Sequence, residues 1–305
     1  MSDKTIGTRG GWEKYENNPV LGGDLGTCFD VSVLRVDSKY VMYFSWRPKG
    51  SIAVTESVDG FVWSKPKICL EPRATQKGWE DDLNRPTVVL KDGIYHMWYT
   101  GQFKPGQPDG TSHIFYAASK DGLNFGRVGE TPVLVPELPW EKQAIMNPDI
   151  FWDGEEQLYK MWYSAGEQYE PNAIGYATSE DGIHWIKYKN NPVFSANPAN
   201  TWERHKAAGC HVVKVESWYI MFYIGYFDED YAQIGMARSS NGITNWERYP
   251  MNPIIAPSPG CFDEEACYKP YPLYDGKKWL LWYNGRNGTS EQIGVAIHQG
   301  ADLWA

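Results

Sequence analysis

Apolar and aromatic residues along this chain come in short runs, and the runs recur. YVMYFSW (40–46), YHMWYTG (95–101), YKMWYSAG (159–166), YIMFYIGY (219–226) and WLLWYNG (279–285) are five versions of one segment. Each is followed by a second: IAVTESVDGFVW, IFYAASKDGLNF, IGYATSEDGIHW, IGMARSSNGITNW and IGVAIHQGADLW. The repeat spacing is about 60 residues, within the range of propellers and other repeat architectures. The runs are rich in aromatic and β-branched residues, lack helical periodicity and are separated by Gly, Asp, Asn and Pro, so each copy reads as four strands.

The turns agree. Ser57, Ser119, Ser179 and Ser239 each open a "Ser-x-Asp/Asn-Gly" tetrad, in which Asp or Asn bonds nearby backbone and Gly takes a positive φ. Short Asp-Gly pairs (92–93, 153–154, 275–276) join the first two strands of a copy. Thr131-Pro132, Asn191-Pro192 and Asn252-Pro253 mark the fourth strand, and proline belongs at a sheet edge because it has no N–H to donate. The fifth copy ends without such a strand, whereas the amino terminus carries one, WEKYENNPVL (12–21), resembling WIKYKNNPVF (185–194) and WERYPMNPII (246–255). The pattern predicts an all-β fold, a single five-bladed β-propeller over 1–305 closed by the amino-terminal strand pairing with the last blade.

Composition narrows the function. The 305 residues carry a net charge of −9, which argues against nucleic acid as a partner. No run approaches the ~18 apolar residues of a membrane helix. MSDKTIGTRG lacks the apolar core of a signal peptide, and five cysteines without a C-x-x-C pair read as free thiols, so a cytoplasmic protein is expected. Oligomeric state is silent.

In this topology the loops entering the first strands and those between second and third strands share one face. That face holds WRPKGS (46–51), GQFKPGQPDGTSH (101–113), AGEQYEPN (165–172), WEDDLNRP (79–86), WERHKAAGCH (202–211) and FDEEACYKP (262–270). Charged and aromatic loops gathered on one end of a rigid scaffold are where sites are built. Aligned on the first strand, one slot holds Asp30, Arg85, Asn147, Gly209 and Lys269; two places deeper lie Ser32, Thr87, Asp149, His211 and Tyr271. Together they make a polar funnel, which an apolar core would not need. The repeated Trp-Glu (79–80, 140–141, 202–203) occupies one place in three copies, as a structural pair would.

At these residues the chain resembles the five-bladed propeller glycosidases, families 32, 43, 62 and 68 with the related family 130. The blade turn and the "Y-x-M-W-Y" strand carry the resemblance over nearly the whole chain. Members place an Asp on the first inner strand, an Asp in the third blade and a Glu in the fourth. Asp30 in CFDVSV matches the first; the third blade has Asn147-Pro148 followed by Asp149; the fourth has Gly209 where Glu is expected. The resemblance implies an exo-acting glycosidase with Asp30 as base or nucleophile, Asp149 tuning and orienting, and Glu265 as the acid, with Asp82 and Glu203 behind it. Cleaving an acetal takes one carboxylic acid to protonate the leaving oxygen and one carboxylate to activate water or attack carbon.

Trp46, Arg47, Asp82, Arg85, Glu203, Arg204, His211, Glu264, Lys269 and Arg286 map to the same face as expected sugar-binding residues. No cofactor is required by this chemistry. Some family 43 relatives hold calcium in the axial channel near a histidine, the place of His211. Zinc on Cys28, Cys210, Cys267 and His211 is disfavoured, because Cys210 falls on the other strand face. Two rival readings stay open: a phosphorylase, favoured by the many basic residues and by family 130, and a sugar-binding propeller without turnover, favoured by Gly209.

Overall fold

The five repeats form five antiparallel blades in the computed structural model, which describes residues 4–73, 78–103, 111–167 and 170–304. Parts of two loops named above, residues 104–110 and 168–169, lie outside this description. Blade I comprises Cys28–Val36, Lys39–Trp46, Ser51–Ser57 and Lys67–Leu70. Blade II comprises Asp82–Lys91, Ile94–Gln102, Ser112–Ser119 and Gly126–Arg127; blade III Ala144–Asp153, Leu158–Glu167, Glu170–Ser179 and Ile186–Lys187. Blade IV comprises Lys206–Val215, Trp218–Tyr226, Ala232–Ser239 and Glu247–Arg248. Blade V has Ala266–Tyr274, Lys278–Asn287 and Ser290–Gln299, and takes its outer strand, Trp12–Lys14, from the amino terminus. Trp12 lies opposite His298 and Lys14 opposite Ala296. The first strand of each blade touches the first strand of the next around a full circle, so the chain is an all-β, five-bladed propeller closed as the repeats predict. No helix among the described residues is long and apolar enough to cross a membrane.

Five main apolar clusters fill the five seams between blades. The large strand-two aromatics lie in them, with Trp98, Trp162 and Trp282 fully buried. Each also finds a partner for its N–H across the seam: Trp98 Nε1 donates to Gly182 O, Trp162 Nε1 to Gly242 O and Trp282 Nε1 to Gly60 O. Tyr43 does the same through its hydroxyl to Gly122 O. The acceptors are the glycines of the predicted Ser-x-Asp/Asn-Gly turns, so one motif closes the hairpin and latches the neighbouring blade.

The Trp-Glu pairs are structural. Glu80, Glu141 and Glu203 are fully buried, each accepting from a strand-two tyrosine and a cation on the outer strand. The partners are Tyr99 and Arg127 for Glu80, Tyr163 and Lys187 for Glu141, and Tyr223 and Arg248 for Glu203, all at 2.6–3.0 Å. In blade V the acid is Asp263, bonded to Tyr283 at 2.8 Å and paired with Lys14 at 2.6 Å. Burial above all, with the neighbouring acid adding, pushes the four phenols well up, so they remain donors. In blade I the corresponding turn ends in Leu25 and the tyrosine is Phe44; acid and hydroxyl disappear together.

The outer strands are shorter than expected, and Asn-Pro lies just beyond them. The asparagine amide takes over the pairing. Asn18 bonds both the N–H and C=O of Val295, Asn191 those of Tyr176, and Asn252 those of Met236.

The seam should therefore respond to a single charge. Lys14→Met should lower the unfolding free energy by about 3–5 kcal/mol, because Asp263 then stays buried without its cation. Asp263→Asn in the same chain should recover part of the loss. Urea unfolding checks this, and parental stability in Lys14→Met would mean that the pair does not hold the ring.

Candidate active site

Each blade's first strand carries a β-bulge at the same repeat position. The residue there has a positive φ: 57° at Asp30, 56° at Arg85, 52° at Asn147, 44° at Gly209 and 51° at Lys269. A bulge re-aims a side chain that regular alternation would place elsewhere, and left-handed backbone at a non-glycine residue costs on the order of 1–3 kcal/mol. Polar side chains on the second strand of the preceding blade hold four of the five. Ser45 accepts from Arg85 N at 2.9 Å, Thr100 from Asn147 N at 3.3 Å, Ser164 from Gly209 N at 2.8 Å and Asn284 from Asp30 N at 2.9 Å. Ile224 fills the equivalent place ahead of Lys269 and has no such group.

The re-aimed side chains meet in a cavity of about 250 Å³. Its polar lining includes Asp30, Arg47, Arg85, Asn147, Lys206, Tyr226, Glu229, Asp230, Tyr268, Lys269, Arg286 and Glu291, with Phe29 and Ile224 among the apolar members. Asp30 is 3% exposed. Asn284 Nδ2 donates to its Oδ1 at 3.2 Å, Ser45 to its Oδ2 at 3.5 Å, and Arg85 Nε stands 3.9 Å from that oxygen. Arg85 also donates to Asn84 and Gln102. Glu291 accepts from the Tyr268 hydroxyl. Burial raises the Glu291 carboxyl above the ordinary glutamate range and the charge of Asp30 pushes the same way, against the hydrogen bond from Tyr268 and the charges of Arg47 and Arg85. Burial also pushes the Tyr226 phenol up to about 12.

A second ring lies two residues further along the first strands. His211 Nδ1 and Asp149 Oδ1 are 2.7 Å apart, and Val212 N donates to Asp149 Oδ2 at 2.8 Å. The His211 ring lies 4.0 Å from that of Tyr271, whose hydroxyl is 3.5 Å from Ser32. Asp149 therefore ties blade III to blade IV, and neither it nor His211 lines the cavity.

The structure brings together Asp30, Arg47, Arg85, Lys269 and Arg286 of the expected set and places the others elsewhere. Asp82 supports Arg47 from behind at 3.1 Å. Trp46 is spent on Leu25 O at 2.9 Å, outside the cavity lining. Glu203 is committed to Tyr223 and Arg248, so it is a blade clip and is not free to touch sugar. Arg204 stacks on Phe227 at the rim. Glu264 is exposed, and Glu265, 47% exposed and 3.7 Å from Arg286, faces a neighbouring groove; neither lines the axial cavity, because the FDEE turn spends Asp263 inward and leaves its two successors outside.

Lys206, one of the basic residues expected on this face, also lines the cavity, whereas Glu291, Tyr268, Tyr226, Glu229 and Asp230 were not expected. A signal existed for Glu291: two places before the isoleucine that opens the second segment of the other copies stand Gly50, Ser112, Asn172 and Ala232, and only the fifth copy has an acid. Among the described residues no group of three or more His, Cys, Asp or Glu side chains is arranged to hold a metal. Burial pushes the Cys28 thiol up to about 12 and those of Cys210 and Cys267 well up, which fits seam packing.

Residues 16–271 match the profile of Glycosyl hydrolases family 43. The chain belongs to this family. A Mycobacterium tuberculosis protein is 26% identical over 186 residues, 56% of this chain and 58% of that protein. A 1,2-beta-oligomannan phosphorylase of Thermoanaerobacter sp. is 32% identical over 139 residues, covering 41% of this chain and 44% of the relative. The chain thus spans about half the length of the curated relatives it matches. Among solved structures a "Glycoside hydrolase" superposes with a TM-score of 0.77 at 19% identity, covering 97% of this chain and 93% of the other. A structure titled for the GH130 family of mannoside phosphorylases and its glycoside hydrolases gives 0.72 at 17%, covering 100% and 99%. At such identities the structural likeness concerns the fold.

Asn284→Ala removes both the acceptor for Asp30 N and a donor to its carboxylate. It should cost about 1–3 kcal/mol in urea unfolding, the scale of leaving buried polar groups unpaired. Lys39→Ala at the exposed ion pair with Glu56 should cost under about 1 kcal/mol. Equal effects would deny Asn284 its part in holding the bulge.

Proposed function

We propose that the axial cavity hydrolyses a glycosidic bond and releases the terminal sugar of a short glycan. The observation that carries this reading is the pairing of Asp30 with Glu291 in one small cavity, the latter raised by burial and by the charge of the former. Glu291 is the general acid. Tyr268 bonds one of its oxygens, leaving the other to carry the proton to the departing oxygen. Asp30 is the base that activates water or the nucleophile that attacks the sugar, its oxygens oriented by Asn284 and Ser45. This division of labour needs two carboxyls with unlike environments.

Asp149 acts at a distance, by holding blades III and IV in register beside the cavity. Ligand sites usually span ~300–1,000 Å³, so a cavity of about 250 Å³ suits one sugar residue and favours attack on a chain end. Five unbonded cysteines suit a reducing compartment such as the cytoplasm. Phosphorolysis is the second reading, supported by the five cations in the cavity lining and by the phosphorylase relatives. Activity that requires added inorganic phosphate would select it.

Asp30→Asn and Glu291→Gln should each lower kcat by about 10² or more, the usual scale for a positioned acid or base. Glu291→Gln should be milder on nitrophenyl glycosides, whose leaving group needs little protonation. A carboxyl held above its ordinary value keeps its proton to higher pH, so kcat/KM should fall as pH rises through the Glu291 titration. Glu291→Gln should abolish that alkaline limb. An unchanged alkaline limb in Glu291→Gln would move the acid elsewhere.

A further inference from the structure

The cations in the cavity lining are unequal. Arg47 is 3.1 Å from Asp82 and stacks on Phe29. Arg85 is 3.9 Å from Asp30 and bonded to Asn84 and Gln102. Arg286 is 3.7 Å from Asp230 and 3.7 Å from Glu265. Lys206 sits in the field of Glu229 and Asp230. Lys269 differs: it is 5% exposed, it lines the cavity, and among the described residues no hydrogen bond or ion pair engages its ammonium. Its stem is buried while the ammonium is left to the cavity, and the backbone beneath it is strained at φ 51°.

We propose that the cavity is built for a sugar bearing a single negative charge, a uronate, whose carboxylate is received by Lys269. The ring of bulges explains why the charge is left open. Of the two slots beside Lys269, one is Asp30, whose carboxylate is taken up by Asn284, Ser45 and Arg85, and the other is Gly209, where a side chain would begin 2.6 Å from Ile224 and where an acid would neutralise the lysine. With that slot bare, the carboxylate that answers Lys269 arrives on the ligand. One uncompensated cation matches a monoanion. A phosphate dianion is best gripped by bidentate guanidinium groups; here Arg47 is bonded to Asp82 and Arg85 to Asn84 and Gln102, which leaves the Nε of Arg286 as the one buried guanidinium nitrogen without a hydrogen-bond partner among the described residues. The inference rests on the reading of this cavity as a glycan site and extends it to the substrate class.

Binding without turnover tests it separately from catalysis. Calorimetry on the full chain compares glucuronate, galacturonate, mannuronate and iduronate with their neutral parent sugars at matched ionic strength. At least one uronate should bind at least tenfold more tightly than its parent. Lys269→Met, checked for an unchanged melting profile, should cut that uronate-to-neutral ratio tenfold or more, and Lys269→Arg should retain part of it. Equal affinity for every uronate and its parent, or a ratio untouched by Lys269→Met, overturns the proposal. So does inorganic phosphate binding that depends on Lys269 while no uronate is preferred. Loss of hydrolysis in the parent protein with the ratio intact would instead sink the catalytic reading and leave this one standing.

Discussion

A β-strand alternates its side chains, so a ring of regular first strands would turn only every second residue towards the axis. The bulge removes that limit. At one position per blade an extra residue enters the left-handed region, and its side chain leaves the alternation. The site of this propeller depends on that constraint, because Asp30, Arg85, Asn147 and Lys269 reach the cavity from those positions. Such backbone persists only where its surroundings determine it. Ser45, Thr100, Ser164 and Asn284 supply that support from the preceding blade, so the seams that hold the ring together also aim the site.

Closure uses the same economy of parts. The amino-terminal strand brings Trp12 into the seam between blades IV and V and Lys14 to Asp263, repeating the clip that Glu80, Glu141 and Glu203 make within single blades. The two chain ends are thereby joined by the device that joins strands two and four elsewhere. Closure of the ring brings Glu291, on a third strand of blade V, into the same cavity as Asp30 of blade I.

Much of this was legible in the sequence because repeats compare a chain with itself. Five copies define a frame, and departures from it mark either a seam or a site. The frame located the closing strand, the turns and the slot of Asp30, Arg85, Asn147, Gly209 and Lys269. It could not separate a buried clip from a binding residue, since Glu203 and Glu265 are both acids on loops of one face and differ only in which way the chain turns. The Phe262-Asp263 pair stands for Trp-Glu in blade V, and that substitution hid the clip and lent its successors a prominence they lack. Glu291 stood in the frame as a lone acid among small residues, but its importance comes from burial and from Asp30, which the linear pattern does not carry.

The central claim is an electrostatic one: Asp30 and Glu291 share a cavity closely enough that the charge of the first helps keep the proton on the second. The most direct measurement is the titration of the Glu291 carboxyl, followed by isotope-edited infrared or carbon NMR spectroscopy in the parent protein and in Asp30→Asn. The account predicts a midpoint above the ordinary glutamate range that falls when Asp30 loses its charge. A midpoint in the ordinary range, or one indifferent to Asp30→Asn, would contradict it.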